Sequence, residues 1–211
     1  MAGFGNPRQV TRKHVDDNMT QRILPLPRET RRLVLRPPSP GNAAAVQEAI
    51  EESFADLRVW MDWAITLQSL DDTQAVLERA AASFEAGEDF AVHAFLKGSG
   101  RFVLSAGLHP RNWRVPSFEI GYWCRTSMRG QGYVSEVVRE LTALAFRDLQ
   151  AVRVEIRCDA RNQRSLRVAE RAGYRLEAEL RCDDRANDGS LRDTLIYALL
   201  ADDFSKLVGR A

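Results

Sequence analysis

The feature that most constrains this chain is a change of hydrophobic period between residues 117 and 158. Ser117 to Cys124 (SFEIGYWC) reads as a strand rich in large and aromatic side chains. A polar loop, RTSMRGQG, follows. Val134, Val137, Val138, Leu141, Leu144 and Ala145 then fall at i, i+3, i+4, i+7, i+10 and i+11, one apolar face of a helix. Val152, Val154, Ile156 and Cys158 alternate with Arg153, Glu155 and Arg157, the period of a strand. A chain that interleaves both periods folds as a mixed α/β domain.

The flanking segments fit that class. Arg32 to Arg36 (RLVLR) alternates before Pro37, Pro38 and Pro40 and reads as a short first strand. Asn42 to Phe54 is Ala-rich and helical in pattern. Residues 55–68, with Trp60, Met61 and Trp63, are expected to form a second short helix. Ser69 to Ala86 opens on Asp71 and Asp72, which suit a helix N-terminus, and carries Val76, Leu77, Ala80 and Phe84 at helical spacing. Phe90 to Leu96 and Phe102 to Leu108 flank Lys97-Gly98-Ser99-Gly100, a hairpin loop. Asn162 to Arg171 is a short helix stopped by Gly173. Tyr174 to Arg181 and Leu191 to Leu200 are two last strands around Asn187-Asp188-Gly189. No repeat or Ser/Gly/Pro-rich linker follows residue 41. Residues 28–211 are therefore expected to be one domain, behind a flexible tail at 1–27 in which Met19 opens a stretch that would itself serve as a start.

Charge narrows the function classes. Lys and Arg total 30 against 29 Asp and Glu, a net charge of +1 that fits a globally basic nucleic-acid binder poorly. The distribution is uneven. Residues 1–36 hold eight basic and three acidic residues, and residues 37–211 hold 22 basic and 26 acidic. The basic leader reads as a solvated tail rather than an RNA-binding arm, so no nucleic-acid partner is expected. Cys124, Cys158 and Cys182 are odd in number and lack CxxC spacing. His14, His93 and His109 lack HExxH or HxH spacing. Neither a disulfide framework nor a metal site is suggested. The N-terminus has no apolar signal-like region, and the longest apolar run, Leu195 to Ala201, is far too short to span a membrane. A cytoplasmic setting without a membrane partner is expected.

The loop Arg129-Gly130-Gln131-Gly132 lies between a strand and the helix that starts near Tyr133. Helix N-termini offer unpaired N–H groups and partial positive charge, and glycine lets a backbone approach an anion closely. Such a unit would suit a phosphate, although it is neither GxxxxGK[ST] nor GxGxxG. Alone it is equally a loop with turn glycines.

Its surroundings add to it. The loop has the form R-x-x-G-x-V after EIGYWC, and Asn162-Gln163-Arg164-Ser165 and Glu170-Arg171-Ala172-Gly173-Tyr174 follow about thirty residues later. This combination resembles the GNAT acetyltransferases (the GCN5-related N-acetyltransferases), with their Q/R-x-x-G-x-G/A acetyl-CoA motif and later N-x-x-S…E-x-x-G-F/Y segment. It is most similar to the RimJ/RimL branch, the ribosomal-protein-alanine N-acetyltransferases. There the first strand reads RLxLR, as at Arg32 to Arg36. An E-[IL]-G-Y-W strand precedes the loop, as at Glu119 to Trp123, and a D-x-x-x-Y pattern closes the domain, as at Asp193 to Tyr197. The resemblance runs from about Arg31 to Phe204. It implies a single α/β domain with a mixed, mostly antiparallel twisted sheet, helices on both faces and a splayed central strand pair. One position departs from the pattern. Val134 stands where Gly or Ala is usual, and its branched side chain would crowd a pyrophosphate while leaving its N–H available.

The same resemblance implies an acetyl-CoA-dependent N-acetyltransferase with acetyl-CoA as co-substrate and no metal. The pantetheine arm would lie between strands 117–124 and 152–158, on the backbone of Tyr122, Trp123 and Cys124. The pyrophosphate would rest on the N–H groups of Gly130, Gln131, Gly132, Tyr133, Val134 and Ser135, with Arg129 beside it. A backbone N–H near Trp123 or Cys124 would polarise the acetyl carbonyl. Glu119 is the first candidate base, balanced against a structural carboxylate paired with an arginine, and Asp183 and Asp184 are weaker candidates. Ser165 would protonate the leaving thiolate, or else bond backbone only. Asn162 would cap its helix at Arg164 or Ser165 and reach the pantetheine. Tyr174 and Cys124 read as core, and His93 and His109 as strand side chains without a special role. Trp60 and Trp63 would line an acceptor pocket, unless at least one belongs to the core. The acceptor is a protein or peptide N-terminal α-amine or a small amine of aminoglycoside or polyamine type. A non-catalytic CoA-binding domain is the contrasting reading, and a homodimer is compatible with each.

Overall fold

The computed structural model describes residues 23–209. Its elements are β1 (Arg28–Glu29), β2 (Leu33–Arg36), α1 (Ala43–Trp60), α2 (Leu70–Glu85), β3 (Phe90–Leu96), β4 (Phe102–Asn112), β5 (Ser117–Cys124), α3 (Tyr133–Arg147), β6 (Arg153–Asp159), α4 (Gln163–Arg171), β7 (Arg175–Arg185), β8 (Leu191–Leu200) and α5 (Ala201–Val208). The strands join one sheet in the order β1-β2-β3-β4-β5-β6-β8-β7. Every pairing is antiparallel except β5 with β6, where α3 supplies the crossover that parallel neighbours require.

That parallel pair is short. Ser117 faces Arg153, Phe118 faces Val154, Glu119 faces Glu155, and the ladder ends there. Beyond it, β5 stays with β4 as far as Cys124, and β6 stays with β8 as far as Asp159. The two strands separate, and each presents a backbone edge to the gap. This is the splayed central pair that the family resemblance implies.

Two apolar layers hold the sheet. Under α3, Val137, Val138, Leu141, Leu144 and Ala145 pack with Phe118, Ile120, Val154 and Ile156. On the other face, Val46, Ala49, Ile50 and Leu57 of α1 and Leu77 of α2 pack with Phe95 and Phe102. Each fully buried Val, Leu, Ile or Phe among them contributes about 1.5–3 kcal/mol before chain entropy is charged against it. The α3 face is the one marked by the helical period in the sequence.

Several elements differ from expectation. The second short helix over 55–68 does not form. α1 runs on to Trp60 because Leu57 continues the buried stripe of Val46, Ala49, Ile50 and Ser53, and residues 61–69 are irregular. Ser69 then starts α2 with a reciprocal capping box: its Oγ accepts from the Asp72 N–H at 3.1 Å, and its own N–H donates to the Asp72 carboxylate at 3.1 Å. β1 is too short to leave a period. α5 carries Asp202 and Asp203 in its first turn and Lys206 in its last, and its Phe204 stacks on Phe146 at 4.8 Å. Leu24 is buried in the core, so the packed chain reaches upstream of residue 28. Residues 1–22 of the expected tail lie outside the described residues.

Candidate active site

The gap between β5 and β6 opens into a cavity of about 940 Å³. Its inner end is the last shared rung. There Glu119 lines the cavity, with Arg111 Nη1 3.5 Å from its carboxylate and the Glu155 position directly across. Burial is the largest influence on Glu119 and raises its pKa. Arg111 and Arg157 pull it down, Glu155 adds to the rise and His109 pulls it down, and the net result is a carboxyl above its ordinary range. Glu155 takes no part in lining the cavity; it is held by Arg153 at 2.9 Å.

His109 is more than a strand side chain. It lies opposite Glu119 in the β4–β5 ladder, and its Nδ1 is 2.6 Å from Asp89. The imidazole lies across the cross-strand pair Gly107 and Gly121. A Cβ on Gly107 would come within 2.7 Å of the ring. The sequence shows two glycines in strands, but the ring that needs them is visible only in the fold. Burial pulls His109 down, yet the Asp89 hydrogen bond and the charges of Asp89 and Glu119 bring its pKa above the ordinary value.

At the other end the cavity reaches the N-terminus of α3. Gly130, Gly132, Tyr133, Val134 and Ser135 line it. Gly130 and Gly132 have φ of 72° and 81°, conformations that side chains resist. No side chain caps α3, so the first-turn N–H groups face the cavity without an intramolecular substitute for an anion. A backbone edge leading to an uncapped helix N-terminus fits an extended thiol ester with a pyrophosphate. Val134 packs partly against the core and also lines the cavity.

Two expected cofactor residues are placed differently. Gln131 does not line the cavity. Its carbonyl accepts from Arg32 Nη1 at 2.8 Å, and its side chain reaches back to the Ser127 carbonyl. Arg129 lines the cavity, but its guanidinium is 2.6 Å from Asp56 of α1, so its charge is shared rather than free for a phosphate. α1 holds this whole segment. Glu48 and Glu52 pair with the buried Arg125, Ser53 Oγ accepts from the Thr126 N–H, and Glu52 accepts from the Ser127 N–H.

In the sequence Arg32 stands out only as part of a strand pattern. Its Nε meets Glu136 at 2.7 Å, its guanidinium lies 4.4 Å from the centroid of the Tyr133 ring, and it also holds the Gln131 carbonyl. The RLxLR strand therefore braces the glycine loop from outside the cavity.

The cavity wall opposite β5 comes from β6 and α4. Asn162 Oδ1 accepts from the Ser165 N–H at 3.2 Å, which is the expected cap. The Ser165 side chain does not bond backbone only: its Oγ is 2.8 Å from the Tyr122 hydroxyl. Tyr122, Cys158, Asn162 and Ser165 all face the cavity. Burial pushes the Tyr122 hydroxyl up and pushes the Cys124 thiol up to about 11. Cys124 accordingly has no thiolate character and sits among core side chains.

Another side of the cavity is bounded by α1's end and the β7–β8 hairpin. Trp60 and Trp63 both line it and neither is buried; Trp63 meets Trp123 at 6.2 Å. The placement of at least one of them in the core does not hold. Asp183 is 3.5 Å from Arg157, and Asp184 is 2.6 Å from Arg192, whose hydrogen bond holds that carboxyl below its usual range. Asp193 and Tyr197 serve structure: Asp193 accepts from the Cys182 N–H at the bulge of β7, and Tyr197 donates to Glu170 of α4. Among the described residues no group of His, Cys, Asp or Glu is arranged for a metal, and no helix is long and apolar enough to cross a membrane.

A family model described as an acetyltransferase (GNAT) domain matches residues 32–175. YdaF of Bacillus subtilis (strain 168), provisionally named a ribosomal N-acetyltransferase, is 27% identical over 172 residues, covering 80% of this chain and 91% of that one. The ribosomal-protein-serine acetyltransferase of Escherichia coli (strain K12) is 28% identical over 143 residues, covering 67% of this chain and 78% of that one. The structure of RimL, a ribosomal L7/L12 α-N-protein acetyltransferase in complex with coenzyme A, superposes with a TM-score of 0.75 at 23% identity, covering 86% of this chain and 99% of that one.

Proposed function

The chain belongs to the acetyltransferase (GNAT) domain family and is an acetyl-CoA-dependent N-acetyltransferase; from that premise we propose that its acceptor is the α-amine of a protein N-terminus. The supporting observation is the charge state of the acceptor end. Each carboxylate there faces a guanidinium: Glu119 faces Arg111, Asp183 faces Arg157, and Asp62 and Asp184 share Arg192. A polycationic small amine would gain little from a wall where three guanidiniums offset all but one of four carboxylates. A peptide end, carrying one amine and a polar backbone, suits it. The related proteins named as ribosomal-protein acetyltransferases point the same way.

Acetyl-CoA supplies the acyl group as an activated thioester. Gly130, Gly132, Tyr133, Val134 and Ser135 bind the pyrophosphate through backbone N–H groups, and the free edge of β5 at Tyr122 to Cys124 aligns the pantetheine. Glu119 takes the proton from the incoming ammonium, directly or through one water, and its raised pKa brings it closer to working pH. A backbone N–H near Trp123 or Cys124 stabilises charge developing on the acyl oxygen. Ser165 Oγ, linked to the Tyr122 hydroxyl, gives a proton to the departing sulfur and regains one from the nitrogen of the collapsing tetrahedral adduct, which restores the hydroxyl. Asn162 fixes the turn that carries Ser165.

The test is acetyl-CoA turnover against peptides with varied N-termini and a panel of aminoglycosides and polyamines. Turnover of peptides, abolished by N-terminal blocking, is expected. Turnover confined to small amines would replace the acceptor assignment, and binding of acetyl-CoA without any turnover would favour a non-catalytic domain.

A further inference from the structure

Four of the arginines lining the cleft are committed to carboxylates: Arg111 to Glu119, Arg129 to Asp56, Arg157 to Asp183 and Arg192 to Asp184. Three others also line it, and all three belong to α4: Arg164, Arg167 and Arg171. Among the described residues, none of these three side chains has an ion pair or a hydrogen bond. Their spacing of i, i+3 and i+7 puts them on one helix face, over roughly 10 Å of cleft wall at 1.5 Å rise per residue. The nearest acid on the same helix, Glu170, is engaged by the Tyr197 hydroxyl. Like charges stacked on a helix face repel one another and cost the isolated helix stability. An arrangement of this kind is complementary to a polyanion.

The glycine loop and α3 already provide for one pyrophosphate through backbone amides. We propose that Arg164, Arg167 and Arg171 form a separate subsite for the 3′-phosphate at the ADP end of the acetyl donor. The proposal rests on the acetyl-CoA reading of the cleft. It assigns the charged recognition of that donor to α4 and leaves the pyrophosphate to uncharged backbone. The 3′-phosphate is a compact dianion that guanidinium groups bind through charge-assisted hydrogen bonds. The subsite also explains how a domain with an acidic surplus selects a phosphate-rich partner.

Calorimetric titration of the full chain with coenzyme A and with 3′-dephospho-coenzyme A tests this without turnover. Wild-type protein is expected to bind coenzyme A about ten-fold tighter or more, the effect of one charge-assisted contact. The triple variant R164Q/R167Q/R171Q is expected to lose about that factor for coenzyme A, keep its affinity for the dephospho form, and melt at an unchanged temperature because the three side chains are exposed. The wild-type preference should shrink as salt rises. An equal loss for both ligands would assign the stripe to the pyrophosphate or to folding and overturn the proposal, as would no loss at all. Wild-type protein that binds both forms equally would sink this inference alone; wild-type protein that binds neither would sink the acetyl-CoA reading beneath it.

Discussion

Glu119 occupies the last rung that β5 and β6 share, where burial and a facing Glu155 work against its charge. Its folded pKa lies above its unfolded one. It therefore favours the fold at pH below the unfolded pKa, and that contribution is lost as pH rises through the folded pKa. Glu119→Gln should lower kcat on the order of 100-fold, remove the acid limb of the kcat/KM profile, leave coenzyme A affinity unchanged, and not lower the melting temperature near neutral pH. Wild-type turnover across pH in the variant would eliminate Glu119 as the base. His93 behaves oppositely. It is buried against Phe95 and Phe102 of the α1–α2 layer, edge-on to Phe102 at 5.3 Å, its Nδ1 has no hydrogen-bond partner among the described residues, and burial lowers its pKa from 6.5 to about 4. Above pH 6.5 both folded and unfolded states are neutral there. Between pH 6.5 and 4 the unfolded chain takes a proton that the folded chain refuses, so stability falls with pH. His93→Phe should retain on the order of 3 kcal/mol more stability than wild type at pH 4, relative to their difference at pH 7, in urea titrations. A parallel loss in both proteins would exonerate His93. Glu119, Ser165 and Asn162 were legible as single residues because motif spacing marks them. The role of His109 was not, because it depends on Asp89, just before β3, and on a glycine pair that spans β4 and β5.

The glycine loop illustrates what an element needs from its neighbours. Gly130, Gly132 and the apolar face of α3 could be read locally, since left-handed turns and a helical period leave local marks. Arg32 could not, because β2 meets α3 only through the finished sheet. Its guanidinium holds the Gln131 carbonyl, the Tyr133 ring and the Glu136 carboxylate together. Glu136 also accepts from Thr30 Oγ1 at 2.6 Å and from the Arg32 N–H at 2.8 Å. Burial raises its pKa, but these contacts outweigh burial and hold the carboxyl below the usual range. Arg32→Ala should release the loop and raise KM for acetyl-CoA by about ten-fold, the loss of one or two charge-assisted hydrogen bonds, with kcat nearly unchanged. Arg32→Lys should recover only part, because an ammonium cannot bridge a carbonyl and a carboxylate in one plane. A fall in kcat at unchanged KM would place Arg32 in the chemistry instead. The misread helix over 55–68 has the same origin: Leu57 extends α1 only because the sheet's second face is there to bury it.

At the scale of the molecule, the end of the cleft proposed for the acceptor exists only where the chain's two distant parts meet. The tip of the β7–β8 hairpin reaches the C-terminus of α1, where Asn187 Nδ2 donates to the Arg58 and Met61 carbonyls at 2.9 Å each. Arg192 of β8 adds a bridge between Asp62, just past α1, and Asp184 of β7. Nothing in local period or spacing joins residue 187 to residue 58, so the sequence shows the turn at 187–189 but not what it touches. The contact makes the hairpin a strap across the side of the cleft proposed for the acceptor, away from the glycine loop. Asn187→Ala frees two helix-terminal carbonyls that water can reach, and should cost about 1 kcal/mol of stability. The functional effect should be larger and one-sided. KM for an acceptor peptide should rise several-fold while coenzyme A affinity stays at the wild-type value, because α3 and α4 hold their positions without the strap. Equal loss of donor and acceptor binding would mean that the hairpin supports the whole cleft, and unchanged acceptor KM would place the peptide elsewhere along the cavity.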